Sequence, residues 1–149
     1  MNTNGAASYD IPNIPAWAKK VTLIFRNVSA NGLGTGGLQV QLGTSGGFAA
    51  SGYTGTMQTL NGTTLASSAS LTTSFLITGT GSDAFLFSGT MELTEIEPNV
   101  WVHKTYFGAS GSRGHLSVGE IALGGELTSL RVFMGVGTFD GGTINALFE

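Results

Sequence analysis

The feature that most constrains this chain is a two-residue alternation of apolar and polar side chains, which recurs in short runs and never gives way to a helical period. Leu38, Val40 and Leu42 alternate with Gln39 and Gln41, and Phe85, Phe87, Met91 and Leu93 alternate with Ser88, Thr90, Glu92 and Thr94. Successive side chains of a strand point to opposite faces, so this period predicts strands with one buried face. Residues 21–25, 75–78, 100–107, 116–123, 127–136 and 143–148 are further candidates, rich in β-branched and aromatic residues. No window holds an amphipathic helical pattern for three turns.

Turn chemistry separates these runs. Glu97-Pro98-Asn99 places Pro98 at the second position of a type I turn and predicts a hairpin between strands 85–96 and 100–107. Asn31-Gly32, Asn61-Gly62, Gly124-Gly125 and Asp140-Gly141-Gly142 are similar punctuation. About eight short strands without βαβ alternation predict an all-β fold, an antiparallel β-sandwich of jelly-roll-like kind. The 149 residues suffice for one domain with one core, and no compositional break divides them. Residues 1–12 are expected to be a polar N-terminal lead-in and 13–149 the single sandwich domain.

Composition narrows the function. Charged residues are 10% of the chain, against roughly 25% in typical soluble domains, so hydroxyls and amides cover the surface. Net charge is −3, and the six basic residues form no cluster beyond the pair Lys19-Lys20, which disfavours nucleic acid as a partner. The absence of cysteine excludes disulfides, thiolate metal sites and cysteine nucleophiles. The first dozen residues lack the charged start and apolar run of a signal peptide, and no apolar run reaches the roughly 18 residues of a membrane span, so no membrane insertion is expected.

Several motifs invite chemical readings. Gly43-Thr44-Ser45-Gly46-Gly47 satisfies the G-x-S-x-G pattern of a hydrolase nucleophile elbow. With 24 glycines and 14 serines, such a match arises by chance about 0.35 times in a chain of this length. An elbow also needs a helix after the serine to build its oxyanion hole, and the sequence that follows, GFAASGYTGT, reads as a loop. Ser45 is therefore expected to sit in a turn, with no catalytic residue in the chain. Residues 79–85 nearly match a calcium-binding nonapeptide, but that site needs stacked copies and only one is present, so Asp83 reads as a turn residue.

His103 and His115 stand twelve apart with no third ligand at metal spacing, and neither a metal nor a cofactor is expected. Asp10, Glu92, Glu95, Glu97, Glu120, Glu126 and Asp140 could meet as a glycosidase pair, though no local motif couples two of them. The aromatics Tyr9, Trp17, Tyr53, Trp101 and Tyr106 combine a ring that can stack on a sugar with a polar edge. Trp17 and Trp101, next to and inside strands, point to the core. Tyr53, between Gly52 and Thr54 in a glycine-rich loop, is the best exposed candidate, and Tyr53, Trp101 and Tyr106 form the expected ligand-binding set.

The runs VTLIF (21–25), SFLIT (74–78), AFLF (84–87) and LRVFMGV (130–136) carry apolar groups on both faces, whereas a two-layer sandwich leaves one face polar. Burial against sister subunits is the simplest cover.

IPAWAKKVTLIFRNVSANG (14–32), VQLGTSGGFAASGY (40–53) and TFDGGTINALFE (138–149) resemble the β-rich modules at the C-terminal ends of tail fibres of tailed phages and prophages. Ile14, Pro15, Trp17, Lys19, Lys20, Gly46, Gly47, Phe139, Asp140, Gly142, Ile144 and Glu149 fit that pattern, while Ala18 and Phe148 replace its Val and Tyr. The resemblance spans both ends of the chain and leaves residues 54–95 without a matching motif. It implies a homotrimeric receptor-binding module at the virion tail, attached to other tail proteins and adhering to a host-surface receptor such as a polysaccharide, and it supplies no catalytic residue. Two other classes remain open: a purely structural virion protein, either capsid decoration or fibre assembly, and a glycan-degrading enzyme.

Overall fold

The computed structural model describes residues 5–31, 37–70, 72–79 and 85–149, with the side chains of all of these except 66–70. The expected all-β antiparallel architecture is present, and there is no helix among the described residues. Among the described residues twelve strands form it: β1 (Ser8–Pro12), β2 (Lys20–Asn31), β3 (Leu38–Thr44), β4 (Gly47–Phe48), β5 (Thr54–Asn61), β6 (Thr64–Ser70), β7 (Phe75–Leu76), β8 (Phe87–Glu97), β9 (Val100–Ala109), β10 (Arg113–Ala122), β11 (Ser129–Met134) and β12 (Thr138–Phe148).

One sheet runs β12-β2-β8-β9-β10-β5-β6; the other runs β1-β11-β3-β4, with β7 also on β3. Their inward faces share one core, in which Leu23, Phe25, Met91, Leu93 and Trp101 of the larger sheet meet Val40, Leu42, Phe75, Leu130 and Val132 of the smaller. The alternation read from the sequence sets this face. In β9, Trp101, His103, Thr105 and Phe107 are buried, while Lys104 and Tyr106 face solvent.

Three expectations change. The stretch 1–12 is not merely a lead-in: its residues 8–12 pair along β11 from Ser8↔Phe133 to Pro12↔Ser129, because Ile11 can bury its side chain there and Asp10 meets Arg131 with a two-pronged hydrogen bond at 2.7 and 2.8 Å. The 97–100 hairpin forms, but Asn99 has φ 65°, the sign a type II turn needs at its third position, where type I requires a negative value. Asp140-Gly141-Gly142 is no turn. It is a bulge within β12, opposite an irregular stretch of β2 where Asn27 has φ 50°. Gly142 has φ 96°, and a Cβ there would lie 2.4 Å from the Asn27 carbonyl oxygen, so both conformation and space demand glycine.

The runs with two apolar faces divide as well. On β7 and its continuation, Phe75, Ile77 and Thr78 are buried and Leu76 is half-buried within the chain itself, whereas Ile24, Leu86 and Val136 remain exposed.

Candidate functional site

A cleft of about 540 Å³ opens at the end of the sandwich where β8 turns into β9. Glu95 continues the inward row of Met91 and Leu93 past the end of the core, so its carboxylate reaches this cleft instead of apolar neighbours. A register shift between Glu95 and Glu97 then turns Ile96 outward, and Pro98 and Asn99 close the tip. Glu126, from the β10–β11 connection, joins the lining, and Ala16 and Lys19 supply the remaining wall.

Glu95 is fully engaged. The Lys19 ammonium donates to one carboxylate oxygen and the Asn99 N–H to the other at 2.9 Å, and together they hold the carboxyl below the usual range. Its backbone N–H also donates to the Lys19 carbonyl at 2.9 Å, which fixes the Lys19 segment to β8. Glu97 and Glu126 add two negative charges to the lining.

Beside this cleft stands Trp17, 65% exposed. It occupies the third position of a β-turn closed by the Ala18 N–H on the Pro15 carbonyl at 2.9 Å, between Ala16 and Lys19, both of which line the cleft. The turn is anchored on both sides. Ile14 and Ala18 are buried, Ile14 N–H donates to the Thr128 carbonyl at 3.0 Å, and the Lys19 and Lys20 amides both donate to the Glu149 carbonyl. Lys20 adds ion pairs to Glu149 at 3.2 Å and to Glu92 at 3.9 Å. The sequence reading placed Trp17 in the core because a strand follows. The missed signal is Pro15, which fits a turn and leaves a ring at its tip facing water.

The expected ligand-binding set is not brought together. Tyr53 is 3% exposed, and its hydroxyl accepts the Leu42 N–H at 2.8 Å. Leu42 lies on β3 between the residues paired with β7 and those paired with β4, so no strand reaches that N–H and the tyrosine takes it instead. Burial pushes the phenol up to about 12, so it stays neutral. Trp101 is 2% exposed and lies in the core, as the register of β9 requires. Tyr106 alone faces water, 59% exposed, on the outer face of the seven-stranded sheet between Thr90 and Leu116.

The other motifs resolve by position. Ser45 is exposed at the tip of the β3–β4 hairpin, followed by a strand and no helix, and the Thr44 hydroxyl accepts the Gly46 N–H at 3.1 Å. Both histidines are buried: His103 Nε2 pairs with Ser117 Oγ at 2.9 Å and His115 Nδ1 with Thr59 Oγ1 at 3.0 Å, so neither imidazole is free to activate Ser45. Asp83 lies outside the described residues. Of the seven acids, Glu95 and Glu97 of β8 and Glu126 line the cleft; Asp10 pairs with Arg131, Glu92 with Lys104 at 3.2 Å, and Asp140 accepts from Ser29.

The two end motifs are spatial neighbours. Residues 21–31 pair with 138–148, Phe139 and Ile144 are buried, and Glu149 braces the Trp17 turn. Searched against known proteins, the chain matches no family model, no curated protein and no solved structure.

Proposed function

We propose that the chain is a receptor-binding module of a phage-type tail fibre, which attaches a virion to a host-surface glycan through the cleft beside Trp17 and acts as a homotrimer. The observation that carries the reading is the indole of Trp17, left in water on a turn that burial and backbone hydrogen bonds hold rigid. Exposure of so large an apolar ring forgoes on the order of 2 kcal/mol of burial. A ring fixed before contact loses little freedom on binding, which suits stacking on a sugar face beside carboxylates that accept hydroxyl protons. The same turn carries the Ile-Pro-x-Trp and Lys-Lys residues on which the tail-fibre resemblance rests.

Adhesion is favoured over glycan hydrolysis because Glu95, paired with Lys19 and held below the usual carboxyl range, has no proton to donate near neutral pH. A structural virion role is favoured by a separate observation. The outer face of the seven-stranded sheet exposes Ile24, Tyr106, Val118 and Leu147, while Lys20, Glu92, Lys104 and Glu149 on that face pair with one another, so it suits apolar contact with sister subunits.

The test is calorimetric titration with host-surface polysaccharide, with reducing-end release followed in parallel. Trp17→Ala is expected to weaken binding at least about tenfold, roughly 1.4 kcal/mol, while Tyr106→Ala leaves it unchanged. Equal affinity of the Trp17 variant would remove the site, and released sugar would make the chain an enzyme. Light scattering at micromolar concentration reads the assembly: a mass of 15.3 kDa would sink the homotrimer.

A further inference from the structure

We infer that the segment Phe75–Gly79 is fastened to the seven-stranded sheet by an acid-labile clasp formed by His103 and His115. The segment is weakly held on its own sheet. As β7 it pairs with β3 through only Gln39↔Leu76 and Val40↔Phe75, and beyond that the Ile77 N–H donates to the Leu38 carbonyl at 2.9 Å while Thr78 Oγ1 accepts the Leu38 N–H at 3.0 Å. Its other side rests on the opposite sheet at two imidazoles. The Phe75 ring lies 3.9 Å, centroid to centroid, from that of His103 on β9, and the Gly79 N–H donates to His115 Nδ1 on β10 at 3.2 Å.

The chemistry of that second contact is one-sided. A backbone N–H can only donate, so Nδ1 of His115 must be unprotonated and the ring must carry its proton on Nε2. A second proton would occupy the lone pair that receives Gly79 and set two N–H groups against each other. On β9, protonation of His103 would place a charge among Phe75, Ser117 and the edge of the Tyr53–Phe75 ring pair, which stands at 4.8 Å.

Among the described residues, the surroundings offer such charges no counter-ion. The polar groups reaching the two rings are Ser117, Thr59 and the backbones of Gly79 and Gly119, and Phe87 packs on His115 at 5.6 Å. Glu92, Lys104 and Glu120 occupy alternate positions that project from the other face of the sheet, and Tyr53 stays neutral. Arg113, two residues before His115, opposes its protonation.

Burial therefore depresses both imidazoles to about 4, with Arg113 adding to the effect on His115. The folded values lie below the unfolded 6.5. The open or unfolded form thus binds more protons in the window between about 4 and 6.5, and stability contributed by the neutral rings is present above it and lost as pH falls through it. When one imidazole is freed by opening of the segment, the opening equilibrium rises by up to about tenfold per pH unit in that window.

Amide hydrogen exchange of the full chain tests this, with protection factors measured at several pH values from 7 down to 4.5. Opening at Ile77, Thr78 and Gly79 is expected to rise steeply below pH 6.5, ahead of Leu23 and Met91 in the centre of the large sheet. In His115→Asn, whose side-chain oxygen can take the place of Nδ1 but cannot be protonated, the slope at Gly79 should flatten. Constant protection across the range, simultaneous loss at both sets of amides, or an unchanged slope in His115→Asn would each overturn the clasp. Should that variant not fold, the wild-type imidazole titration decides: a His115 midpoint below about 5 supports the inference and one near the ordinary 6.5 overturns it.

Discussion

Residues 13–20 and 44–53 both link longer strands, the first around one proline, Pro15, and the second around glycines and the short β4, and each holds an aromatic with a polar edge, Trp17 in the first and Tyr53, with Phe48 before it, in the second. The first presents Trp17 to water and the second buries Tyr53. The difference lies in what the backbone around each ring leaves unmade. Around Trp17 four backbone amides are already taken: Glu149 receives Lys19 and Lys20, Thr128 receives Ile14, and Pro15 receives Ala18. Around Tyr53 the ladder of β3 has a gap at Leu42, where neither β7 nor β4 reaches, and the hydroxyl fills it. Burial of a loop aromatic thus follows from an unpaired backbone group that its polar edge can satisfy, and exposure from the lack of one, not from the glycine content of its loop.

The largest contrast between the two connectors should be in stability. Tyr53→Ala removes a buried ring packed edge-on to Phe75 and leaves the Leu42 N–H without its partner, and is expected to cost about 3–5 kcal/mol in urea unfolding. Trp17→Ala should stay within roughly 0.5 kcal/mol of the parent. The comparison breaks if the two variants lose similar stability, because Trp17 would then be packed and not presented.

How far all this could be read from the sequence depends on the range of the cause. Period-two runs such as 38–42 and 85–94 declare their buried faces locally, and the strands lie where the alternation put them. β5 and β6 escaped because Thr54–Asn61 and Thr64–Ser70 are Thr- and Ser-rich and lack a clean apolar row, although Asn61-Gly62 marked their turn. β1 escaped because Ile11 alone in a polar stretch gives no period. The cleft was illegible for a stronger reason: Lys19, Glu95 and Glu126 come from three separate stretches of the chain and meet only through the pairing of β2 with β8 and the closure of the sandwich. The resemblance pointed to Trp17 as a motif residue, but only the turn hydrogen bond reveals its exposure.

Within the 44–53 connector the comparison sharpens at adjacent glycines. Gly47 has φ 112°, a region L-residues rarely adopt, and a Cβ there would meet nothing within 4 Å, so any cost of Gly47→Ala is conformational. About 1–2 kcal/mol is expected. Gly46 has no positive φ, and its added Cβ would lie at an ordinary 3.5 Å from Thr44 Oγ1, so Gly46→Ala should change stability by under roughly 0.5 kcal/mol. Equal melting temperatures for the two variants would show that the hairpin relaxes around either residue.

The smallest effect belongs to Ser45, whose motif promised the most. A nucleophilic serine needs a base within hydrogen-bond reach and amides poised for an oxyanion. Ser45 stands at an exposed hairpin tip, followed by the two residues of β4 and not by a helix whose N-terminus could supply those amides. The imidazoles of His103 and His115 are committed inside the sandwich to Ser117 and to Thr59 with Gly79. The neighbouring turn amide, Gly46 N–H, is bound by the Thr44 hydroxyl and not by Ser45, so even the local fold does not depend on the serine. Ser45→Ala is accordingly expected to match the parent in melting temperature and in glycan binding. A fluorophosphonate probe should leave the parent unlabelled; covalent labelling that the Ser45→Ala variant abolishes would show that the hairpin tip acquires a base from elsewhere and would restore the hydrolase reading of GTSGG.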